Sequence, residues 1–318
     1  VTYHSSSWRE GTYFMNCDDN FPNEPHIREQ WYLNLIHYPI NDTVNGDGIV
    51  IAIIDDSLDI RHPEFDVLSQ YNMDYIDDDT DPTSIYHHHG TAAAGIAVSK
   101  RNHEGILGVA HKSKVVGFRL LNYFTSADEE DAYLKHKDII DIKSCSWGPY
   151  DDPHLVYPTS YRGEYGMRTA VESGRNGKGT IFVFASGNGG HNKNNCNSDG
   201  YTNSIYTIAV ASVSSRLTKT GYGEECACMI VSAPSSGNGF SMYTTDTIGS
   251  DGYASGDYTT SFGGTSASAP IISGVVALML QTNPDLNWRD VQGILLTTAR
   301  KNAPGHPDWI TNAAGVHH

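Results

Sequence analysis

The sequence predicts an α/β fold whose doubly wound, mostly parallel sheet is covered by helices on both faces. The first observation is a series of short β-branched runs bounded by glycine or acidic residues, which is typical of strands buried on both faces. The second is that helical stretches alternate with these runs, as the crossovers of a parallel sheet require. The 318 residues contain no internal repeat, linker or low-complexity tract, and this favours a single large domain.

The clearest strand is predicted over residues 48–54, a β-branched run that ends at Asp55 and Asp56. Acids at the carboxyl end of a central strand lie where open α/β sheets place their sites. Residues 1–47 are polar and punctuated by proline, so we expect an arm, anchored near 29–33, that packs on a domain spanning 48–318. The other predicted strands are 114–120, 138–144, 179–184, 205–212 and 229–233, and the predicted helices are 127–136, 167–173, 288–299 and an Ala/Gly-rich helix ending at Val98.

A long core helix is predicted to begin near Ser266. After Phe262, small residues from Gly263 to Ala269 lead to Pro270 and then to the apolar run 271–280, and proline is tolerated in the first turn of a helix. Unpaired backbone N–H groups and the helix dipole favour negative charge at such an N-terminus. Ser266 therefore has the setting that an activated serine needs, although an ordinary helix start rich in small residues has the same composition.

Composition limits the classes of partner. The formal net charge of −16 at pH 7, from 37 acidic and 21 basic side chains, argues against nucleic acid; it favours a cationic ligand, bound metal cations or simply a solubilising surface. No apolar run reaches the length of a membrane span, and the chain starts at Val1 without a signal-like segment, so a trimmed form is expected. Five cysteines are compatible with one disulfide in an oxidising compartment, and their odd number leaves at least one thiol unpaired.

Two polar clusters are candidate metal sites. The loop 66–86 is rich in acids, and oxygen donors in a flexible loop suit calcium, although a solvated acidic loop is the alternative. Three adjacent histidines, 87–89, precede the Ala/Gly-rich helix. Because consecutive residues at a helix entrance point in different directions, at most two of these histidines can serve one metal centre.

Three motifs in the order Asp, His, Ser resemble those of the subtilases, a family of serine proteases. They are Ile53-Ile54-Asp55-Asp56, His89-Gly90-Thr91 and Gly264-Thr265-Ser266-Ala267-Ser268-Ala269-Pro270. Chymotrypsin-like enzymes and α/β-hydrolases have other orders. The resemblance implies a subtilisin-like fold with Ser266 as nucleophile, His89 as general base and acid, and Asp55 orienting His89. It also implies that Asn188 donates to the oxyanion, although a turn residue beside glycines is the alternative.

Within the subtilases, residues 25–316 resemble the kexin and furin branch, the proprotein convertases. The matching strings are Asp55-Asp56, Ser146-Trp147-Gly148-Pro149 and the ranges 185–190, 199–206 and 287–290. This resemblance implies a calcium-dependent endopeptidase of the secretory pathway or cell exterior that cuts polypeptides after basic, and especially dibasic, residues. It also implies an inhibitory propeptide and a following P domain, and the chain is expected to end before the catalytic domain of a convertase is complete.

The same resemblance implies the substrate contacts. Asp151 and Asp199 would line the pocket for the residue before the cut, and Asp56 would face the residue preceding it; each acid has a structural alternative. Ser146, Trp147 and Gly148 would also bind the substrate. Tyr86 and Tyr157 stand where furin-like enzymes carry acids for other basic residues of the substrate, so the resemblance does not extend to furin's four-residue basic preference. The acidic run 128–131 is either a distal contact or a solvated helix face.

Three calcium sites are implied in the same way. The first would use Glu24, Glu64, Asn102 and the carbonyls of Lys100, Glu104 and Ile106. The second would use Asp74, Asp79 and Asp81, and the third Asp151, Asn194 and Glu224, where Asn194 replaces a carboxylate and lowers the charge. Cys196 and Cys226 match a disulfide of furin-like enzymes, which leaves Cys17, Cys145 and Cys228 unassigned.

Two other classes of function remain to be weighed. A broad-specificity degradative subtilase would lack acids along its pockets, whereas Asp56, Asp151 and Asp199 are present. A catalytically silent subtilase fold used for binding would be expected to lose one of the residues Asp55, His89, Asn188 and Ser266, and all four are present. Cleavage of a peptide library separates the first alternative from a convertase.

Overall fold

The computed structural model describes residues 23–38, 43–313 and 315–316, and it confirms the doubly wound α/β fold. The strands of the main sheet are β1 (Val50–Asp55), β2 (Met73–Asp74), β3 (Lys114–Arg119), β4 (Ile142–Cys145), β5 (Ile181–Ala185), β6 (Thr207–Val213) and β7 (Met229–Pro234). Their spatial order is β2-β3-β1-β4-β5-β6-β7, and every neighbouring pair is parallel. All six residues of β1 are buried, as the β-branched run predicts.

Helices cover both faces of this sheet. They are α1 (Trp31–Leu35), α2 (His89–Val98), α3 (Ser126–Leu134), α4 (Tyr161–Gly177), α5 (Thr265–Thr282) and α6 (Trp288–Thr298). One hydrophobic core joins α1, α2, α5 and α6 to one face, and a second core joins α3 and α4 to the other. Ile51 and Ile53 enter the first core, whereas Ala52 and Ile54 enter the second, because side chains alternate across a strand.

Helix α4 and a two-stranded pair differ from the prediction. Helix α4 begins before the predicted range of 167–173; its N-cap is Ser160, whose hydroxyl accepts from the N–H of Gly163. Gly163 and Gly166 lower the helical propensity of this first half, so composition indicates only the second half. A short antiparallel pair, β8 (Met242–Thr245) and β9 (Tyr258–Phe262), lies outside all predicted elements.

Helix α5 starts one residue before Ser266, at Thr265, and it contains Pro270 in its second turn rather than its first. Because proline has no N–H, Pro270 makes no helical bond to the carbonyl of Ser266. Among the described helices, α5 alone is long and apolar enough to cross a membrane by length and composition, with a mean hydropathy of 1.3. In this fold 72% of it is buried, as expected for the central helix of a core.

The described part of the arm packs on the domain through its predicted anchor. Trp31, Tyr32 and Leu33 are buried. The side chain of Gln30 donates to the carbonyl of Leu107 and accepts from its N–H, each at 2.8 Å. Residues 1–22 and 39–42 lie outside the described part of the chain, so the boundary at residue 47 stays a prediction.

Candidate active site

Three of the predicted site residues lie at the carboxyl ends of neighbouring strands. Asp55 ends β1, Ser146 follows β4, and Asn188 lies shortly after β5. From β1 the sheet continues to β3 on one side and to β4 on the other, so the winding direction reverses here. Open α/β sheets bind their ligands at the carboxyl ends of strands beside such a reversal.

Asp55 and His89 are in direct contact. Nδ1 of His89 lies 2.9 Å from Oδ1 of Asp55. His89 is the first residue of α2, and the close approach depends on Gly90, since a Cβ there would lie 2.0 Å from the carbonyl oxygen of Ser57. Burial alone would lower the pKa of His89, but the charge and hydrogen bond of Asp55 and the charge of Asp56 raise it to about 9. The two carboxylates therefore stabilise the imidazolium form.

Asp56 holds the start of the same helix. Its Oδ1 accepts from the N–H of Gly90 at 2.9 Å, and its Oδ2 accepts from the N–H of His89 at 3.3 Å. These N–H groups have no partner within the helix. Burial and the neighbouring charge of Asp55 raise the pKa of Asp56, against the opposing effect of these bonds and of His89. The sequence analysis did not predict this positioning contact.

Ser266 lies at the N-terminus of α5 and is 9% exposed. Its hydroxyl donates to the carbonyl oxygen of Ser146 at 2.9 Å. Within the described residues, this bond takes the place of one to His89. Catalytic hydrogen bonds are often long or poorly aligned without substrate, so this geometry is compatible with Ser266 as the nucleophile.

Asn188 is oriented by Thr265. Its Oδ1 accepts from the backbone N–H of Thr265 at 2.8 Å and from the hydroxyl at 3.2 Å. Gly264 leaves room for this contact, since a Cβ there would lie 3.1 Å from Oδ1 of Asn188. Because the oxygen is engaged in this way, the NH₂ group is the part of Asn188 left to act as a donor. Thr265 stands inside the serine motif, yet the sequence analysis gave it no role.

A pocket opens beside Ser266, and its walls carry three carboxylates, those of Asp151, Asp199 and Glu224. Gly148 is part of the lining, and a Cβ there would lie 3.3 Å from Oδ2 of Asp199. The lining also includes Ser146, Trp147, Leu155, Tyr157, Asn188 and Asn194. The pocket thus combines the predicted substrate residues other than Asp56 with two apolar side chains, Leu155 and Tyr157, that sequence analysis did not assign to it.

Two carboxylates of this pocket, those of Asp199 and Glu224, have surroundings that favour a bound proton or a cation. Burial raises the pKa of Asp199 to about 6, against a bond from the N–H of Tyr201. Burial and the neighbouring Asp151 raise the pKa of Glu224 to about 7. Opposing that rise, Oε1 of Glu224 accepts from Nδ2 of Asn194 at 2.9 Å and from the N–H of Gly189 at 3.0 Å. A cation entering the pocket would replace the protons that these raised pKa values retain.

The first predicted calcium site brings together two buried carboxylates. Glu24 is 3% exposed and Glu64 is fully buried, and Oε2 of each has no hydrogen-bond partner among the described atoms. Oε1 of Glu64 accepts from the hydroxyl of Tyr258 at 2.7 Å and from the N–H of Ile106 at 3.2 Å. Burial raises the pKa of Glu64 to about 7. The oxygen-only donor set of these two acids and the loop carrying Lys100, Asn102, Glu104 and Ile106 fits a hard cation.

The second predicted site is arranged differently. Oδ2 of Asp74 lies 2.7 Å from a guanidinium nitrogen of Arg119, which also bonds Asp77 at 2.6 Å. Asp79 and Asp81 accept from backbone N–H groups within their own loop. Arg119 therefore already neutralises one of the three proposed ligands, a contact between β3 and the loop that the local pattern of acids could not reveal.

The cysteines follow the pairing that the resemblance implies. Cys196 and Cys226 form a disulfide, and Cys145 and Cys228 are free among the described cysteines. Cys145 is buried, whereas Cys228 is partly exposed. Cys17 lies outside the described residues.

The remaining predicted positions are Tyr86, Tyr157 and the acidic run 128–131. Tyr86 is 78% exposed, and Tyr157 pairs with the segment of Asp199 through a bond from its N–H to the carbonyl of Ser198. In the acidic run, Asp128 forms a capping box with Thr125 at the start of α3. Glu129 is 1% exposed and accepts from the hydroxyl of Ser160 at 2.7 Å. The run is thus a helix start with one buried acid rather than a uniformly solvated face.

Comparison with known proteins identifies the family of the chain. The model of the subtilase family matches residues 46–312. The chain is 39% identical over 318 aligned residues to proprotein convertase subtilisin/kexin type 7 of Mus musculus, covering 93% of this chain and 41% of that protein. It is 36% identical to kexin of Saccharomyces cerevisiae, covering 92% and 37%. It is 39% identical to the dibasic-processing endoprotease of Schizosaccharomyces pombe, covering 85% and 38%.

Solved structures show the same fold. The serine protease of Aeromonas sobria, in complex with its chaperone, has a TM-score of 0.81 at 22% identity, covering 93% of this chain and 61% of that one. Fervidolysin of Fervidobacterium pennivorans has a TM-score of 0.72 at 22% identity, covering 90% and 44%. The chain spans about two fifths of the length of these curated relatives. From the matched family model and the convertase and kexin relatives, the chain belongs to the subtilase family of serine endopeptidases.

Proposed function

We propose that the chain hydrolyses peptide bonds after basic residues, through an acyl-enzyme formed on Ser266. The observation that carries the substrate class is the pocket beside Ser266, which is lined by Asp151, Asp199 and Glu224. An Arg or Lys side chain loses its hydration on entering a pocket, and an unpaired buried cation is costly, so carboxylates there select for it. The names kexin and dibasic-processing endoprotease of two relatives support the same class.

His89 acts first as a base and then as an acid. As Oγ of Ser266 attacks the carbonyl carbon of the substrate, His89 takes the hydroxyl proton and then gives it to the leaving amine. The bond of Nδ1 to Asp55 fixes the ring and stabilises the imidazolium formed in this step. Water, deprotonated by His89 in turn, attacks the acyl carbon. The bond to Ser266 then breaks, Oγ takes the proton back from His89, and the acid product is released.

The negative oxygen of the tetrahedral intermediate needs donors that are already in position. We assign this role to the NH₂ group of Asn188, whose orientation Thr265 fixes, and to the backbone N–H of Ser266 at the start of α5. The positive end of the helix dipole acts in the same direction. Donors that are fixed before the reaction are worth more than mobile water, because they need not reorganise as charge develops.

Substrate contacts extend beyond the basic pocket. Ser146, Trp147 and Gly148 follow β4 and line the pocket, and this supports their binding of the substrate backbone. We assign Asp56 to the residue preceding the basic one, in addition to its bonds to α2. This would make a dibasic pair the preferred sequence, since Asp56 and the pocket acids each favour a cation.

Calcium is part of the proposal. Glu24, Glu64, Asn102 and the carbonyls of Lys100, Glu104 and Ile106 would hold one ion. Asp151, Asn194 and Glu224 would hold another, so Asp151 would be shared between calcium and the substrate, and Asp199 would remain for the basic side chain alone. The second predicted set, Asp74, Asp79 and Asp81, is the least supported, since Arg119 already pairs with Asp74. When bound, the ion neutralises buried carboxylates and stabilises the folded state by mass action.

We also propose a cellular location and accompanying segments for the whole protein. Relatives named proprotein convertase and kexin support a secretory or extracytoplasmic location, an inhibitory propeptide and a P domain. The disulfide between Cys196 and Cys226 supports an oxidising compartment.

A broad-specificity degradative enzyme is the second candidate. The apolar side chains of Leu155 and Tyr157 in the pocket favour it, since they suit aromatic or aliphatic residues. Measuring kcat/KM for Lys-Arg, Ala-Arg and Ala-Phe reporter peptides separates the two. We expect Lys-Arg to be fastest and Ala-Phe slowest, whereas comparable rates on Lys-Arg and Ala-Phe would select the degradative enzyme.

A further inference from the structure

Cys196, Cys226 and Cys228 form a sulfur cluster next to the basic pocket. The disulfide joins Cys196 to Cys226, and the thiol of Cys228 donates to Sγ of Cys226 at 3.5 Å. The three sulfur atoms lie within 4.8 Å of one another. A thiol in contact with a disulfide sulfur is the arrangement from which exchange starts, because the attacking thiolate must reach that sulfur directly.

The disulfide connects two walls of the pocket. Cys196 begins a short 3₁₀ helix, Cys196–Ser198, that is followed directly by Asp199. Cys226 lies two residues after Glu224. Asp199 and Glu224 both line the pocket, so the disulfide links the segment of one carboxylate to the segment of the other. Any change of pairing within the cluster therefore acts on the pocket.

We propose that Cys228 is a thiol–disulfide exchange site that opens this connection. The thiolate of Cys228 attacks Sγ of Cys226, a bond forms between these two sulfur atoms, and the bond from Cys226 to Cys196 breaks. The electron pair of the broken bond stays on Cys196, which takes a proton from solvent in place of the one that Cys228 released. No sulfur is oxidised or reduced overall, so the step needs no co-reactant.

Chain geometry supports attack on Cys226 in particular. Only Ala227 separates Cys226 from Cys228, and both lie just before β7, so the new pair stays within one short segment. The product leaves Cys196 without a covalent link to that segment. Burial raises the pKa of Cys228, so little thiolate is present at neutral pH and the exchange is slow. Slow exchange makes the two pairings separable by chemical trapping.

The expected consequence is a looser basic pocket. Without the disulfide, the segment carrying Asp199 keeps non-covalent contacts to its surroundings, such as the bond from the N–H of Tyr157 to the carbonyl of Ser198 at 2.9 Å and the bond from the N–H of Gly200 to the carbonyl of Tyr157 at 2.8 Å. We expect KM for substrates ending in Arg to rise in the exchanged form. This consequence rests on the proposed function, whereas the exchange itself does not.

The test identifies which cysteines carry free thiols by mass spectrometry of labelled peptides. The parent and Cys228→Ser are incubated in mildly alkaline buffer, then unfolded in acid and labelled with a maleimide, and digested without reduction. In the parent, label should move with time from Cys228 to Cys196, and a peptide joined by Cys226 and Cys228 should appear. Label at Cys196 should exceed that in Cys228→Ser by at least about tenfold. Cys145, buried until unfolding, should be labelled equally in all samples.

Three outcomes would overturn the proposal. One is label that stays on Cys228 with the original disulfide intact at every time. Another is a link between Cys228 and Cys17, which would remove the attacking thiol. The third is exchange without any change of KM in the separated exchanged fraction. If Arg substrates are not cleaved at all, the proposed function fails, and the mass measurement still decides whether exchange occurs.

Discussion

At the scale of single residues, the candidate active site depends on charges placed next to one histidine. Asp55 and Asp56 follow each other in sequence, but they touch different parts of the residue that they support. Asp55 bonds the ring of His89, and Asp56 bonds its backbone N–H. Both charges raise the pKa of His89. The same two acids thus decide where the ring lies and at which pH it is neutral.

Asp56→Asn should move the acidic limb of the pH profile of kcat/KM to lower pH. The pKa of His89 is raised to about 9 partly by the charge of Asp56, and only neutral His89 can accept the proton of Ser266. Loss of one neighbouring charge should lower that pKa by roughly one unit or less. Rates on an Arg reporter across the pH range give the limb, with Asp251→Asn on an exposed loop as control. If the acidic limb of the pH profile stays at the same pH, the charge of Asp56 does not affect the pKa of His89.

Asp199→Asn should weaken transition-state binding of Arg substrates. Removing one partner of a buried charge pair typically costs about 2–5 kcal/mol, and kcat/KM should fall accordingly. Rates on Ala-Phe reporters should change far less, because the loss concerns a charge that an apolar residue does not use. The matched control is Asp152→Asn, since Asp152 does not belong to the pocket lining. Equal losses on Arg and Phe reporters would argue for a purely structural Asp199.

Ser266→Ala should abolish covalent labelling by a fluorophosphonate while the protein stays folded. Only a hydroxyl is lost, and among the described residues its hydrogen bond goes to the carbonyl of Ser146. Labelled protein is read by mass, and thermal unfolding checks the fold. Labelling that persists in this variant would place the nucleophile elsewhere.

The residue types of the site could be predicted from sequence, but many of their contacts could not. The motif order identified Asp55, His89 and Ser266 as candidates, and the structure brings the first two together. The bonds of Asp56 to α2 and of Thr265 to Asn188 join residues 34 and 77 positions apart. The pairing of Asp74 with Arg119 spans 45 positions. Such contacts depend on how strands and loops meet in space, and no local pattern encodes them.

At the scale of elements, glycines decide how closely the helices approach the sheets. Gly95 of α2 faces β8, and a Cβ there would lie 2.2 Å from Oγ1 of Thr245. Gly90 of the same helix faces the end of β1. The Ala/Gly-rich composition that predicted a helix here is therefore also what lets this helix carry His89 to Asp55.

Gly95→Ala should destabilise the protein, whereas Gly293→Ala should not. Overpacking a close contact typically costs about 1–3 kcal/mol, and here the methyl group would meet a threonine held by a bond to the carbonyl of Thr91. Gly293 lies exposed in α6 with no atom near its Cβ position, so alanine there should add about 0.5–1 kcal/mol of stability. Urea unfolding of both variants measures the free energies. Equal effects would show that α2 can shift away from β8 without cost.

The predicted strands were better defined than the predicted helices for a physical reason. Buried β-branched runs leave few alternatives, and the observed β1, β3 and β5 fall inside or within one residue of their predicted ranges. Helix α4 was predicted short because its first half is rich in glycine, and tertiary contacts with α3 override this propensity. The pair β8 and β9 is short and polar, and its pattern does not differ from that of a loop.

At the scale of the whole molecule, buried acids make stability depend on pH and on cations. The pKa values of Glu64 and Glu224 are both raised to about 7 and that of Asp199 to about 6. Between their ordinary values and these raised values, the folded state binds more protons than the unfolded one. Stability therefore falls as pH rises through this range, unless a cation takes the place of the protons.

Calcium should raise Tm more at pH 8 than at pH 5. At pH 5 the raised pKa values keep these acids largely protonated, so an ion must displace protons to bind. At pH 8 the unprotonated carboxylates bind the ion directly, and mass action stabilises the folded state. Thermal unfolding with chelator and with calcium chloride at both pH values is the measurement, with magnesium as control. An equal gain at the two pH values would contradict a role for these acids as ligands.

The bond from Ser266 to the carbonyl of Ser146 has a consequence for how the nucleophile is activated. In this structure the hydroxyl of Ser266 donates to the carbonyl oxygen of Ser146, which directly follows β4 and which we expect the substrate backbone to contact. A peptide whose N–H donates to the carbonyl of Ser146 would displace the hydroxyl of Ser266 from it. The hydroxyl would then turn towards His89. Binding of the substrate and activation of Ser266 would then occur together. Small acylating reagents that do not reach Ser146 should therefore react more slowly than peptide-based ones.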